Sequence, residues 1–359
     1  MNISLFMEQG ISEAVGTAAR FYLGSSAGRR FIGALLPAFA GSARIRARYE
    51  EEGIHVPPYL IASIASACNL RCAGCYARAG GVCTTNASDS DMDGEQWTRI
   101  FGEASQLGVS LILLAGGEPL LRRDVIEAAS GFENIVFPIF TNGTMIDDAY
   151  LQMFDKCRNL VPVLSIEGSG EETNKRRGKG VWEQIEAVAV RLKERKMLFG
   201  VSITVTTHNL HAVTDKSFLK DLRRDGCGLV FFVEYVPAEQ GTEELVLSEA
   251  QCADLNERVI ELRRQYKNMI VVSFPGDEAE MGGCLAAGRG FFHINSAGGA
   301  EPCPFSPFSK YNLKDTSMLE VLQSDYFKRL RALEMSVEEH KGGCTLFDLK
   351  DEVEKLVSE

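Results

Sequence analysis

No stretch of the 359-residue chain supplies the roughly 18 consecutive apolar residues that a membrane-spanning helix needs. The N-terminus, MNISLFMEQGISEA, has no basic segment ahead of an apolar one, so no secretory signal is expected. Positive charge is in deficit: 38 Lys and Arg face 49 Asp and Glu, a net charge of −11. Such a chain repels phosphate backbones, which excludes general nucleic-acid binding. Low-complexity tracts and sequence repeats are absent. With 45% apolar and 24% charged residues, the composition also excludes a disordered chain. What stands out against these absences is a set of 10 cysteines. In an exported protein they suggest disulfides; in a reducing compartment they suggest metal or redox chemistry, and spacing decides.

The one basic stretch lies near the start. Between Thr17 and Tyr49 stand Arg20, Arg29, Arg30, Arg44, Arg46 and Arg48, with no acid among them. They interleave with apolar runs such as Phe31-Ile32-Gly33-Ala34-Leu35-Leu36. The pattern fits a helical extension over residues 1–57, docked on the protein's own acidic body or lying on an anionic membrane surface. From residue 58 to 274 short β-rich segments alternate with helical patterns. The strands are expected at Leu60–Ser66, Ser110–Ala115, Ile135–Thr141, Val161–Ile166, Gly200–Thr206 and Leu229–Val236. This alternation predicts an α/β fold, a partial (β/α)6 TIM-type barrel, with its chemistry at the C-terminal ends of the strands. Residues 275–359 are dense in glycine and cysteine and read as a small α+β module too thin to stand without a staple.

Cys68, Cys72 and Cys75 follow the first strand in CNLRCAGC, a C-x3-C-x2-C. Three thiolates so close can hold a small inorganic cluster but cannot complete a cubane, which needs four ligands. A closed zinc site also wants four, usually from paired C-x2-C units. The motif and its position resemble the radical S-adenosylmethionine (radical SAM) superfamily. The resemblance implies a 4Fe–4S cluster whose open iron chelates SAM. One electron then cleaves the sulfonium to a 5′-deoxyadenosyl radical, which takes a hydrogen atom from substrate. It also implies a reducing cytoplasm and a flavodoxin or ferredoxin as electron donor. Where the family often has an aromatic just before the third cysteine, this chain has Gly74 and carries Tyr76 just after, the candidate adenine contact.

Further motifs extend the resemblance. Gly116-Gly117-Glu118-Pro119 resembles the family's GGE(P), which holds the SAM amino group, and Asn142 stands in a TNG at the end of the third strand. By the same resemblance Ser165 and Arg177 bind the SAM carboxylate and Glu167 reaches the ribose, with Lys175 or Arg176 as substitutes for Arg177. At the sixth strand end, Glu234 and Tyr235 are candidates for a proton acceptor or hydrogen-atom relay, against the plainer reading of packing residues. Cys83 is a candidate reactive or cluster-adjacent thiol, whereas Cys157, Cys227 and Cys252 read as small core residues.

The run Cys284-x13-Gly298-x4-Cys303, followed by Cys344, resembles the SPASM and shorter twitch modules that bind an auxiliary iron–sulfur cluster. Gly298 would turn a hairpin whose strands carry the two cysteines. The cysteine count implies at most one such cluster, with Cys284, Cys303 and Cys344 as ligands. Its fourth position would be open, or filled by substrate or by an unforeseen residue. A zinc staple is the alternative. The expected activity is hydrogen abstraction from a peptide or small-molecule substrate, or from a lipid or membrane-associated one. A non-catalytic iron–sulfur or zinc-binding protein is the reading from another class.

Overall fold

The computed structural model describes residues 16–281, 283–333 and 345–358. Parallel strands β1 (Tyr59–Ala65), β2 (Leu111–Gly116), β3 (Phe137–Thr141), β4 (Leu160–Ile166), β5 (Gly200–Val205), β6 (Leu229–Glu234) and β7 (Ile270–Phe274) form the wall of an open barrel. Helices Gly94–Leu107, Arg123–Ser130, Asp148–Lys156, Val181–Glu194, Lys216–Arg224 and Glu249–Gln265 cross between consecutive strands. The partial TIM-type barrel expected from the alternation is therefore present. Strand β7 exceeds the six expected. It is a short apolar run lying only a few residues beyond the preceding helix, and it pairs in register along β6 from Leu229↔Ile270 to Val233↔Phe274.

The crossover after β1 illustrates how the sequence builds these units. Asp93 and Gln96 form a capping box, and Trp97, Ile100, Phe101, Ala104 and Leu107 recur at helical spacing to make one buried face. Gly108 ends the helix with φ +83, where any larger residue would be strained. Full burial of a side chain the size of Phe101 contributes roughly 1.5–3 kcal/mol. Strand β1 alternates as a barrel strand should: Leu60, Ala62 and Ile64 are fully buried, while Tyr59, Ile61 and Ser63 on the other face are only half-buried.

Helix Ser26–Glu51 runs across the N-terminal ends of the strands, opposite the end where the chemistry is expected. Gly28, Ile32, Leu35, Phe39 and Ser42 form its buried face. Arg20 donates to the Cys227 carbonyl (3.2 Å), and Arg46 donates to the Gly108 carbonyl and to Ser110 Oγ (3.1 Å). Of the two readings of this basic segment, the docked one is observed. Arg29, Arg30, Arg44 and Arg48 lie on the outer side with Leu36. Among the described residues no helix is long and apolar enough to cross a membrane.

After β7 the chain returns to the opposite edge of the barrel. Strand β8 (His293–Ile294) pairs in parallel with β1, and β9 (Gly299–Glu301) and β10 (Tyr311–Asn312) extend the sheet in antiparallel fashion. Gly298 turns the β8–β9 hairpin with φ +91. A Cβ there would meet Asn312 Oδ1 at 2.6 Å. The hairpin does not carry the two cysteines on its strands. Cys284 lies in coil ahead of β8, and Cys303 lies just past β9, because only two residues of the first segment find a pairing partner on β1. Cys344 lies outside the described residues.

Candidate active site

The loop after β1 carries Cys68, Cys72 and Cys75 at the C-terminal end of the barrel, all partly exposed and none in a disulfide. Two neighbouring strand ends shape it. Gly116 has φ +125, and a Cβ on it would meet the Ala65 carbonyl oxygen at 2.5 Å. A Cβ on Gly117 would meet the Ala67 carbonyl oxygen at 2.1 Å. The glycines let the end of β2 lie against the start of the cysteine loop, with Gly117 and Glu118 N–H donating to the Ala65 and Ala67 carbonyls (2.7 and 2.8 Å). Replacing Gly117 with Ala is expected to push the Ala67 backbone away, cost about 1–3 kcal/mol and lower cluster loading, read as a drop in the urea midpoint together with iron per chain.

The electrostatics of the loop favour thiolate at Cys68. Cys83 folds back from the following loop and hydrogen-bonds the Cys68 sulfur. That bond, with the Leu70 N–H (3.4 Å) and the Arg78 guanidinium, pulls the Cys68 thiol down to about 6 in spite of its partial burial. Donating that bond holds the Cys83 thiol well above its usual range. Burial pushes Cys72 up, against the pull of Arg177 and Arg176. Three thiols on one loop, near cationic side chains, have the donor chemistry of a cubane's ligand set. Among the described residues, no group of three or more His, Cys, Asp or Glu side chains is drawn to metal-binding separation, so the loop presents these thiols without closing them together.

The other motif residues gather around this loop. Glu118 is 1% exposed and accepts from Thr141 Oγ1 (2.6 Å), Asn142 N–H (2.8 Å) and Leu120 N–H (3.0 Å). Burial pushes its carboxyl up to about 7 against those bonds. Asn142 donates to Asn69 Oδ1 (2.9 Å), tying the TNG turn to the cysteine loop itself. Glu167, also buried, is held by both Arg176 (2.7 Å) and Arg177 (2.6 Å). Burial alone would lower Arg177, but Glu167 and then Cys72 outweigh it and keep the guanidinium charged. Arg176 further donates to the Ala73 carbonyl (3.1 Å), within the cysteine loop. Ser165 is half-buried on β4, in register with Ser202 of β5.

Of the two candidates on β6, Tyr235 reaches the loop. Its hydroxyl donates to Thr242 Oγ1 (2.8 Å), and a Cβ on Gly74 would meet that hydroxyl at 2.6 Å. Gly74 is thus the residue that fits there, and its N–H donates to Glu239 Oε2 (2.9 Å). Glu234 instead accepts from the Cys252 thiol of the covering helix (3.5 Å). Tyr76, half-buried, packs on Phe305 (4.9 Å between centroids), and its phenol lies within the electrostatic reach of Cys75, Cys303 and Cys83. It therefore connects the two cysteine regions.

Two features escaped the sequence reading. His293 on β8 bonds Glu301 Oε2 (2.7 Å) and Ser63 Oγ (2.8 Å), a polar chain from β9 to the half-buried face of β1. Glu278, 5% exposed, accepts from the Leu285 N–H (3.0 Å) and lies against Cys284. Neither falls at a motif spacing, and both depend on pairings made only in the folded sheet.

An open parallel barrel with a three-cysteine loop after β1 and glycines at the end of β2 defines a class, and comparison with known proteins agrees. Residues 63–224 match the radical SAM superfamily, and the comparisons support an enzyme of that class. It is 27% identical to an AdoMet-dependent heme synthase of Methanosarcina barkeri over 82% of this chain and 89% of that protein. It is also 27% identical to a PqqA peptide cyclase of Rhizobium meliloti over 69% of this chain and 67% of that one. Streptococcus suis SuiB bound to S-adenosylmethionine shares the fold, with a TM-score of 0.64 at 20% identity, over 79% of this chain and 70% of that chain.

Proposed function

We propose that the chain cleaves SAM at a 4Fe–4S cluster held by Cys68, Cys72 and Cys75, and abstracts a hydrogen atom from a peptide or small-molecule substrate. The observation that carries this reading is the convergence of Glu118, Asn142 and the Glu167–Arg177 pair on the cysteine loop. The bound cluster and SAM supply the electron and the deoxyadenosyl radical, and the chain's own groups do the rest. Glu118 offers a buried carboxylate to the SAM ammonium, beside the Gly116–Gly117 backbone. Arg177 suits the SAM carboxylate, because its guanidinium makes two parallel charge-assisted bonds, and Ser165 adds a hydroxyl. Tyr76 is the candidate adenine contact, and Tyr235 the candidate relay above the loop. The peptide reading is supported by the PqqA peptide cyclase relative, and the small-molecule reading by the heme synthase relative, which spans more of this chain.

Cys284 and Cys303, with Cys344 as the third ligand, would hold one auxiliary iron–sulfur cluster, and a flavodoxin or ferredoxin would deliver the electron. Anaerobic reconstitution is expected to load about eight irons per chain, as two four-iron clusters require. With SAM and dithionite it is expected to release 5′-deoxyadenosine. About four irons per chain would remove the auxiliary cluster from the account; no nucleoside product from a fully loaded sample would remove the function.

A further inference from the structure

Along each barrel strand the side chains alternate between the covering helices and the barrel interior. A contact across the barrel identifies the inward set: Phe140 of β3 packs against Phe231 of β6 (5.0 Å between centroids), although β4 and β5 stand between those strands in the sheet. Ser202 of β5 and Val272 of β7 lie in register with Phe231, and Thr204 lies in register with Val233. On β1 the corresponding half-buried face carries Ile61 and Ser63. All of these side chains are half-buried, so the interior is open rather than filled by the protein's own core. None of the inward positions of β1–β7 holds Asp, Glu, Lys or Arg; they are apolar or carry a hydroxyl. His293 of β8 reaches this face through Ser63, but Glu301 and Ser63 already engage both of its ring nitrogens. The charged groups of the site stand beyond the strand ends, where Glu118 follows β2 and Glu167 follows β4.

We infer that the barrel interior receives an uncharged, mainly apolar group of the substrate, an aliphatic or aromatic portion, and that Ser63, Ser202 and Thr204 meet its neutral polar atoms. The inference rests on the hydrogen-abstraction reading above and narrows its substrate class. Sites for small organic groups are lined in this way, with an apolar wall and a few placed polar atoms. A carboxylate, phosphate or ammonium in the interior would lose its water and find no opposite charge, the costliest way to bury an ion. Ser63 stands on the strand that leads into the cysteine loop, so a group held against it lies on the side of the barrel where the proposed cluster is bound. Any charged part of the same substrate is left at the mouth.

The test uses the full chain, loaded anaerobically with iron and sulfide and saturated with SAM. Equilibrium dialysis measures its affinity for two probes, the uncharged dye N-phenylnaphthylamine and its anilinonaphthalene sulfonate counterpart, which differs by one anionic group. The uncharged dye is expected to bind at least about 10-fold more tightly than the sulfonate. Val233→Glu, which puts a charge on the inward face of β6, is expected to weaken the uncharged dye by at least about 10-fold. Ser202→Arg is expected to reverse the preference in favour of the sulfonate, and it serves where Val233→Glu disturbs folding, which circular dichroism reports. Leu36→Glu, on the outer side of the N-terminal helix, is expected to change neither affinity. Equal affinities for the two dyes, no binding of the uncharged one, binding untouched by both inward variants, or a loss in Leu36→Glu instead would overturn the inference. The 5′-deoxyadenosine formed by the same samples keeps the two readings apart. With product present, any of those results leaves the function standing; without product the hydrogen-abstraction reading falls and takes the inference with it.

Discussion

Replacing Cys72 with Ala is expected to reduce 5′-deoxyadenosine formation by more than about 100-fold, beyond the roughly 10–100-fold that loss of an outer partner of a metal ligand costs. Cys72 lies between the other two thiols of its loop and carries the electrostatic influence of both Cys68 and Cys75. Without it two sulfurs remain, too few to hold a cubane. Cys83 provides the contrast. It hydrogen-bonds the Cys68 sulfur and lowers that thiol, yet it sits one loop further on. Cys83→Ala is therefore expected to weaken loading by about 10-fold, within the range for an outer partner. Nucleoside product and iron per chain, measured on the same anaerobic samples, separate the two. Equal losses in both variants would mean that Cys83 is a ligand and that the three-sulfur account is wrong.

The second large effect is a stability that depends on Glu118. Burial raises its carboxyl to about 7 in the folded chain, against about 4.3 when unfolded. Between those values the folded protein holds a proton that the unfolded chain has released, so stability falls as pH rises through this window. The full penalty, about 4 kcal/mol, is present above the folded value, and most of it develops between pH 5 and pH 8. Glu118→Gln cannot titrate. Urea unfolding without SAM at pH 5 and pH 8 is expected to show the variant gaining about 3 kcal/mol on the parent across that interval. A gap that stays constant with pH would mean that Glu118 is already compensated. On the proposed reading the cost has a use: a carboxylate that is expensive to ionise alone would be relieved by the SAM ammonium, so ligand charge and protein charge would stabilise each other.

Much of this site was legible from the chain alone, for physical reasons. The helix over Gly94–Leu107 is encoded locally, because a cap, a buried stripe and a terminal glycine agree on it. Gly116, Gly117 and Glu118 were legible because only glycine lets one strand end approach another so closely. Other features depend on distant pairing. Strand β7 was not expected from the sequence, and in the fold it pairs along the edge that β6 offers it. The union of Glu167 with both Arg176 and Arg177 needed the turn of helix Gly170–Arg177, whereas the sequence suggested separate roles for the acid and the base. Glu234 and Tyr235 are adjacent in the chain, yet the alternation of β6 sends one to the Cys252 helix and the other to the cysteine loop. Glu278 and His293 carry no spacing signal at all, and only the return of the C-terminal segment onto β1 brings His293 to Ser63 and Glu278 into reach of Tyr59.

The central claim is that Cys68, Cys72 and Cys75 hold a cluster with one iron reserved for SAM. Mössbauer spectroscopy of the iron-57-loaded chain, before and after SAM is added, tests it most directly. The account predicts that SAM shifts the signal of a single iron in the N-terminal cluster, and that Cys72→Ala abolishes that signal. A spectrum indifferent to SAM, or a loop filled by tetrahedral zinc, would contradict it.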